Sequence, residues 1–254
     1  DPVETWKIKC YYFPMEISNR CREIVLGSLL GDGSLRMRKN YSNARFEIRH
    51  SIIQQDYFFW KIQELQEISG DNCYRLQPAD GWSKNKKLHY HSRSNTVITE
   101  IYNLTHYDDG NISFNRKWLK LLTPLSLLIW WLDDGSLVKN SRQGIFCTEG
   151  FNRDGVLALS NHLKKKWGIE TNIGRRGKYY QLRIYSTENL KKFFRLVLPH
   201  FAVPSMLPKV ILLYKDTDLQ KRWISEVSEL TKIPISVVEQ YTKEKSSRWK
   251  SFRE

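Results

Sequence analysis

One short pattern occurs twice in this chain, once in each half. The first copy is VLGSLLGDGSL at residues 25–35, and the second is LLIWWLDDGSL at residues 127–137. Each copy is an apolar run of helical length that ends in Asp-Gly-Ser-Leu. An apolar helix that ends on a lone carboxylate is unusual, because a buried charge is costly unless another group compensates it. We therefore expect the two copies to meet in the fold.

Ser18 is the predicted N-cap of the first apolar helix, which is expected to run to Gly31. Thr123-Pro124 predicts the start of the second, with Thr as the N-cap and Pro as the first helical residue.

The two apolar helices are predicted to pack side by side. Gly27, Ser28 and Gly31 are spaced so that one face of the first helix carries little side chain, which lets a second helix approach closely. Such packing brings Asp32 and Asp134 together, and two carboxylates at close range repel each other. A divalent metal ion removes this repulsion. The sequence thus predicts a metal site on an axis of two-fold pseudosymmetry.

The composition indicates a folded protein with a polyanionic partner. The 254 residues carry a net charge of +14 and include nine Trp and thirteen Tyr, which argues against a disordered basic chain. A charge excess of this kind in a globular chain is typical of nucleic-acid binding. The longest apolar stretches are about a dozen residues, too short to cross a membrane, so no membrane partner is expected.

The cysteines and the first residues bear on the compartment. Cys10, Cys21, Cys73 and Cys147 form no CxxC pair, so we expect free thiols in a reducing environment. Residues 1–4 (DPVE) lack the basic-then-apolar order of a secretory signal. We expect an intracellular protein, and both an organelle (mitochondrion or chloroplast) and a bacterial cytoplasm stay open.

The pattern that follows each Asp-Gly-Ser is also repeated. Residues 35–39 and 44–50 alternate with period two around a turn, as in a β-hairpin, and an amphipathic helix follows. The second half repeats this order, so an α+β chain of two αββαββα repeats is predicted. The predicted domains are an N-terminal arm at 1–17, repeats at 18–122 and 123–232, and a basic C-terminal extension at 233–254, whose tail at 243–253 we expect to be disordered.

Two apolar helices ending in Asp-Gly, each heading such a repeat in a basic chain, resemble the single-chain LAGLIDADG homing endonucleases. The string TPLSLLIWWLDDG at 123–135 is a specific match to the second motif, with Ile129 where the motif usually has Gly. The resemblance implies a saddle with two antiparallel DNA-binding sheets over an asymmetric interface of the two motif helices. It also implies a monomeric enzyme that makes a double-strand break with 3′ overhangs at a long asymmetric DNA site. A mobile intron is the expected origin of such an enzyme, and an intein stays open as the alternative.

The same resemblance implies a metal site. The final Asp of each motif, Asp32 and Asp134, is the implied ligand, with Mg²⁺ as the physiological ion, Mn²⁺ supporting activity and Ca²⁺ binding without cleavage. Gly31 and Asp133, the positions just before them, complete the predicted metal-binding set, although Asp133 often has a small residue in its place. Phosphodiester hydrolysis needs an activated water and charge neutralisation, which metals held by two carboxylates supply.

Further catalytic residues are implied by position. Lys209 matches the basic residue of the second repeat. Its counterpart in the first repeat is Asn111, where the family often has Lys, or Arg116 if a small insertion shifts the alignment. The positions that hold water on the second strands are His50 and Glu149.

The polar faces of the predicted hairpins are expected to line the DNA groove. Arg can form two hydrogen bonds with guanine, and Gln with adenine, in the major groove. The two halves differ at nearly every such position, so the target is not expected to be palindromic. The predicted DNA contacts are Arg36, Arg38, Arg45, Glu47, Arg49, His89, His91 and Arg93 in the first repeat, and Lys139, Arg142, Arg175, Arg176, Lys178, Gln181 and Arg183 in the second.

Two other functions stay open on the same fold. One is an RNA-splicing maturase, whose partner would be its own intron RNA. The presence of both carboxylates favours the nuclease, although one protein can have both activities. The other is a DNA-binding protein that has lost catalysis, which the missing first-repeat lysine favours. No obligate protein partner is expected.

Overall fold

A computed structural model of the chain describes residues 16–37, 42–79, 84–107, 110–138 and 141–251, with side chains as far as Arg248. Two predicted DNA contacts, Arg38 and Lys139, lie outside the described residues, as does almost all of the predicted N-terminal arm. Within the described ranges, no helix is both long and apolar enough to cross a lipid bilayer.

Both predicted αββαββα repeats are present. The first consists of α1 (Asn19–Ser28), β1 (Gly33–Arg36), β2 (Arg45–Ser51), α2 (Gln55–Glu64), β3 (Tyr74–Gln77), β4 (Lys87–His91) and α3 (Thr96–Thr105), followed by the short α4 (Arg116–Leu121). The second consists of α5 (Pro124–Asp134), β5 (Gly135–Val138), β6 (Gln143–Cys147), α6 (Arg153–Trp167), β7 (Asn172–Arg176), β8 (Tyr179–Ile184) and α7 (Thr187–Val197). Two more helices, α8 (Thr217–Thr231) and α9 (Ile235–Ser251), follow.

Each repeat forms one four-stranded antiparallel sheet. The strand orders are β1-β2-β4-β3 and β5-β6-β8-β7, so one topology occurs twice. Side chains alternate across each strand. In β2, Phe46 and Ile48 are buried in the core, whereas Arg49 on the opposite face is exposed. The predicted α+β fold is confirmed, and each sheet has one core face and one polar face.

Side-chain caps begin both motif helices, as the sequence predicts. Ser18 Oγ accepts a hydrogen bond from the Cys21 N–H at 3.1 Å. Thr123 Oγ1 accepts from the Ser126 N–H at 3.3 Å. Pro124 is the first residue of α5, where its missing N–H leaves no helical hydrogen bond unmade.

The helices α1 and α5 pack in very close contact. A Cβ added to Gly27 would lie 2.4 Å from the carbonyl oxygen of Ser126 and 3.0 Å from Cβ of Ile129. A Cβ added to Gly31 would lie 2.4 Å from Cβ of Asp133. One helix thus supplies glycine where its partner supplies a larger side chain. The expectation of asymmetric packing is confirmed.

The end of α1 differs from the prediction. The sequence predicts a helix over 18–31, but α1 ends at Ser28, and the Gly31 N–H donates to the Ser28 carbonyl oxygen at 2.9 Å. Such an i→i+3 bond tightens the last turn of a helix. Gly33 then lies so close to Ser28 that a Cβ added to Gly33 would be 2.8 Å from the backbone of Ser28. This turn places Asp32 at the junction of helix and strand.

Three other elements also differ from the prediction. The predicted repeat includes a third strand, but the sequence assigns no residues to β3 and does not predict α4, because segments this short show little periodicity. The expectation of a disordered tail was wrong, since α9 extends to Ser251. This helix packs against α8 and buries Val238 completely. Tertiary packing rather than local propensity therefore explains its helical state.

The close approach of the motif helices makes Gly27 sensitive to substitution. We expect Gly27→Ala to lower the free energy of unfolding by about 1–3 kcal/mol, the usual cost of overpacking, because the added Cβ meets Ser126 backbone. Urea unfolding measures the change. Gly150→Ala is the control, since a Cβ there meets nothing within 4 Å. Equal stability of Gly27→Ala and the wild type would contradict the described helix interface.

Candidate active site

The two motif carboxylates lie at the ends of the paired helices. Asp32 follows the last turn of α1, and Asp134 is the last residue of α5. Burial, together with the charge of Asp133, raises the pKa of Asp32 to about 6. Burial, together with the charge of Asp32, raises the pKa of Asp134 to about 7. Asp134 is thus within electrostatic reach of Asp32, the proximity that the paired motifs predict.

Asp133 is held by several hydrogen bonds beneath these carboxylates. Lys61 Nζ donates to both of its carboxylate oxygens at 2.9 Å, and the Tyr57 hydroxyl donates to Oδ1 at 2.8 Å. The backbone N–H of Asp32 donates to Oδ2 at 3.3 Å. Lys61 comes from α2 and is completely buried. The two side chains therefore form a buried ion pair inside the site.

This ion pair affects which carboxylates can hold a metal ion. Asp32, His50 and Asp133 each place a ligand atom within 4.8 Å of the others. However, the ammonium of Lys61 already contacts both oxygens of Asp133, and it would repel a second cation there. The geometry therefore disfavours the metal role predicted for Asp133. Of these three residues, Asp32 and His50 keep donor atoms that could hold a metal ion.

His50 is a third donor that faces these carboxylates. Its Nδ1 lies 3.3 Å from Oδ2 of Asp32, and its Nε2 lies 4.0 Å from Oδ1 of Asp133. Burial, and then the charge of Lys61, lower the pKa of His50 to about 4, so the ring is neutral at neutral pH. The side chain of Gln54 also faces the ring and opposes part of this shift. A neutral imidazole beside carboxylates fits a divalent ion or its bound water.

Lys209 lies at the C-terminal end of α5. It ends the 3₁₀ helix Pro204–Lys209, and its Nζ donates to the carbonyl oxygens of Leu132 at 2.6 Å and Asp133 at 3.0 Å. A cation at this position stabilises carbonyls that have no helical partner. Burial lowers the pKa of Lys209, against the opposing effect of the nearby carboxylates. The basic residue predicted for the second repeat thus reaches the site.

The other two predicted catalytic residues lie in different surroundings. Glu149 follows β6 and accepts a hydrogen bond from Gln181 Nε2 at 2.6 Å. Its charge also contributes to the raised pKa of Asp134, so it lies within reach of the site. Asn111 is an exposed residue in the loop between α3 and α4. In the first repeat, the ammonium that contacts the acidic cluster is that of Lys61 instead.

Most predicted DNA contacts of the first repeat share the polar face of its sheet. Residues paired across antiparallel strands lie on the same face. Glu47 lies among the cations, with Oε2 at 3.3 Å from Arg36 Nε and 3.4 Å from His89 Nε2. The predicted residues on this face are Arg36, Arg45, Glu47, Arg49, His89 and His91.

His89, His91 and Arg93 are two residues apart in the sequence, which predicts that they share one strand and one face, but this prediction was wrong for Arg93. The strand β4 ends at His91. The backbone N–H of Arg93 donates to the Ile68 carbonyl oxygen at 2.8 Å, and its Nη2 donates to that of Glu67 at 3.3 Å. These bonds hold Arg93 against the segment that follows α2.

The register of β7 and β8 also corrects one prediction in the second repeat. Arg175 pairs with Tyr180, whereas Gly174 pairs with Gln181, so Arg175 lies on the face opposite to Gln181. Adjacent residues of a strand point to opposite faces, so Arg175 and Arg176 cannot both face the groove. The predicted residues on the polar face are Arg176, Gln181 and Arg183, while Arg142 and Lys178 lie in turns.

The structure adds residues that the sequence analysis missed. Tyr57 and Lys61 both contact Asp133, and their i, i+4 spacing on α2 is a signal that places them on one helix face. Lys61 is a lysine on the otherwise apolar buried face of α2, and this is the sequence signal that could have identified the pair. Arg75 pairs with His89 and so lies on the polar face of the first sheet. It was missed because the sequence assigns no residues to β3.

Comparison with known proteins identifies the family. The sequence model of the LAGLIDADG DNA endonuclease family matches residues 22–193, which is more than half of the chain. The chain belongs to this family. Within it, the fold is similar to that of the homing endonuclease I-WcaI bound to its DNA recognition sequence, with a TM-score of 0.69 and 16% identity. This match covers 78% of this chain and 88% of that chain.

Several curated proteins are similar to this chain in sequence. DNA endonuclease I-ChuI of Chlamydomonas applanata is 27% identical over 77% of this chain and 96% of its own length. Protein RecA of Mycobacterium gastri is 28% identical over 90% of this chain, and the matched part is 56% of that protein. Cytochrome b mRNA maturase bI2 of Saccharomyces cerevisiae is 25% identical over 74% of this chain and 46% of its length. The chain thus spans about half the length of the RecA and maturase relatives.

The buried ion pair of Lys61 and Asp133 gives a prediction about the free energy of unfolding. Lys61→Met leaves Asp133 buried without its cation, which is expected to cost about 3–5 kcal/mol in the free energy of unfolding. The double variant Lys61→Met/Asp133→Asn removes both charges and should recover most of this loss. Chemical denaturation measures the full double-mutant cycle.

An exposed ion pair supplies the control for this cycle. Lys164 and Glu170 lie 3.2 Å apart with side chains 69% and 70% exposed, so Lys164→Met should change stability little. If Lys61→Met were as mild as Lys164→Met, the buried pair described in the site would be contradicted.

Proposed function

We propose that this chain is a site-specific DNA endonuclease that hydrolyses both strands of a long asymmetric duplex and leaves 3′ overhangs. The observation that carries the proposal is the pair Asp32 and Asp134, one from each repeat, held together at the ends of packed helices. Each carboxylate adjoins a sheet with a basic polar face. Membership of a DNA endonuclease family supports the same conclusion.

The proposed chemistry depends on a divalent ion, with Mg²⁺ as the proposed cofactor. Such an ion neutralises phosphate charge and makes a bound water nucleophilic. Asp32, Asp134 and the neutral His50 would hold the ion and its waters, in keeping with the oxygen and imidazole donors that the site offers. Lys209 adds a positive charge beside the place where negative charge develops on the phosphate.

The two polar sheet faces are proposed to bind the DNA. Arginines on these faces suit guanine in the major groove and phosphate oxygens equally well. Glu47 contacts Arg36 and His89, so it orients these two side chains on the polar face of the first sheet. The second sheet has Gln181 bonded to Arg183 at 3.2 Å instead. Different residues on the two faces support a target without palindromic symmetry.

A randomised duplex library identifies the target and tests the proposal. The protein is incubated with the library in Mg²⁺ and, separately, in Ca²⁺, and both the cut ends and the bound fraction are sequenced. The proposal expects cut ends with short 3′ overhangs at one long motif in Mg²⁺, and binding of the same motif in Ca²⁺. A bound motif without cut ends in Mg²⁺ or Mn²⁺ would overturn the nuclease and favour an inactive DNA-binding protein.

The two carboxylates give the sharpest mutational prediction. Asp32→Asn and Asp134→Asn should each lower the single-turnover cleavage rate at the selected motif by about a hundredfold or more, as loss of a main electrostatic contributor does. The dissociation constant of the duplex in Ca²⁺-free buffer should change much less. Asp154→Asn on the exposed start of α6 is the matched control and should cleave normally. Full cleavage by either motif variant would contradict the assigned roles.

One comparison favours a second activity, RNA splicing. The chain is 25% identical to cytochrome b mRNA maturase bI2 over 74% of its length. A maturase activity would use the folded intron RNA as partner and would not need Asp32 or Asp134. Self-splicing of the host intron transcript with and without the protein, and with Asp32→Asn, separates the two. No effect of the wild type on splicing would exclude the second activity.

A further inference from the structure

The C-terminal helix α9 contacts the segment that carries Lys209. The family match ends at residue 193, so this helix and the 3₁₀ helix Pro204–Lys209 both lie beyond it. Val238, Thr242 and Lys245 follow one another at helical spacing, which places them on one face. Val238 and Thr242 are buried, and this face packs against α8 and the 3₁₀ helix.

Lys245 binds the backbone on both sides of Lys209. Its Nζ donates to the carbonyl oxygen of Pro208 at 2.6 Å and to that of Ile211 at 2.7 Å. From the other direction, Trp131 Nε1 donates to the carbonyl oxygen of Lys209 itself at 3.0 Å. The backbone around Lys209 is therefore held between the motif helix α5 and the C-terminal helix α9.

These two bonds persist in either protonation state of the amine. Burial lowers the pKa of Lys245 to about 7. A neutral amine still has two N–H donors, which is the number that Pro208 and Ile211 require. A methionine at the same position fills the space of the stem but donates no hydrogen bond.

We propose that Lys245 is a positioning residue, which fixes the Lys209 segment so that the ammonium of Lys209 lies beside the two motif carboxylates. This inference rests on the proposed nuclease function. The contact route is short: Lys245 holds Pro208 and Ile211, and Lys209 between them holds Leu132 and Asp133 at the end of α5. Small displacements of a catalytic group can reduce rate strongly while leaving binding intact.

The experiment separates the rate of cleavage from the affinity for DNA. Lys245→Met, Lys245→Arg, the wild type and Lys243→Met are compared on the duplex selected in Mg²⁺. Lys243 is exposed on the same helix and serves as the matched loss of one positive charge. The readouts are the single-turnover cleavage rate in Mg²⁺, the dissociation constant in Ca²⁺, and amide hydrogen exchange of Val210 and Ile211, whose N–H groups bond to Leu207.

Loss of the Lys245 hydrogen bonds is expected to slow cleavage without weakening the binding of DNA. Lys245→Met should cleave about tenfold to a hundredfold more slowly, bind the duplex within about twofold of the wild type, and exchange the Val210 and Ile211 amides faster. Lys245→Arg keeps donors and should lie between Lys245→Met and the wild type. Lys243→Met should match the wild type in all three measurements.

The opposite result overturns the inference. If Lys245→Met folds and cleaves at the wild-type rate, Lys245 does not position Lys209. If cleavage and binding fall together by the same factor, the lysine acts on DNA affinity and the inference also fails. If Lys245→Met does not fold, Lys245→Leu, which also lacks a hydrogen-bond donor, replaces it, and the same outcomes apply. Failure of the wild type and Lys243→Met to cut would instead refute the nuclease function.

Discussion

The contact between the two motif helices is the constraint on which the rest of the site depends. Gly27 in α1 and Gly31 just beyond it let the chain approach α5 more closely than a Cβ at either position would allow. The contact of Gly31 with Asp133 lies where both helices end, and it brings Asp32 and Asp134 within electrostatic reach of each other. The strands β1 and β5 then leave the interface, so each sheet begins beside one carboxylate.

Close approach creates an excess of negative charge, and two lysines from distant segments compensate it. Lys61 neutralises Asp133 inside the core, and Lys209 binds carbonyl oxygens at the end of α5. The two lysines come from non-equivalent elements, so charge compensation breaks the pseudosymmetry of the repeats. An asymmetric site is in keeping with the proposed cleavage of an asymmetric duplex. In the proposed site, Asp32 and Asp134, rather than all three aspartates, would hold a metal ion.

Sequence reasoning was most successful where a pattern repeats. The duplicated Asp-Gly-Ser-Leu ending and the caps Ser18 and Thr123 predict both motif helices and their pairing. Alternation predicts the polar face of β2, but it does not show which of two adjacent arginines, Arg175 or Arg176, faces outward, because that depends on strand register. Arg75 was missed since a strand of four residues has almost no periodic signal.

The sequence by itself determined the repeat order, the identity of the motif carboxylates and the basic character of the sheets, because these properties are local and occur twice. The tertiary structure decided the partners of Asp133, the positions of Lys209 and Arg93, and the helical state of the C-terminal tail. Each of these depends on contacts between residues far apart in the chain, as in Lys61 with Asp133 and Lys245 with Pro208. No local pattern encodes such pairs, because a buried charge is stabilised only by a partner that the folded chain brings close to it.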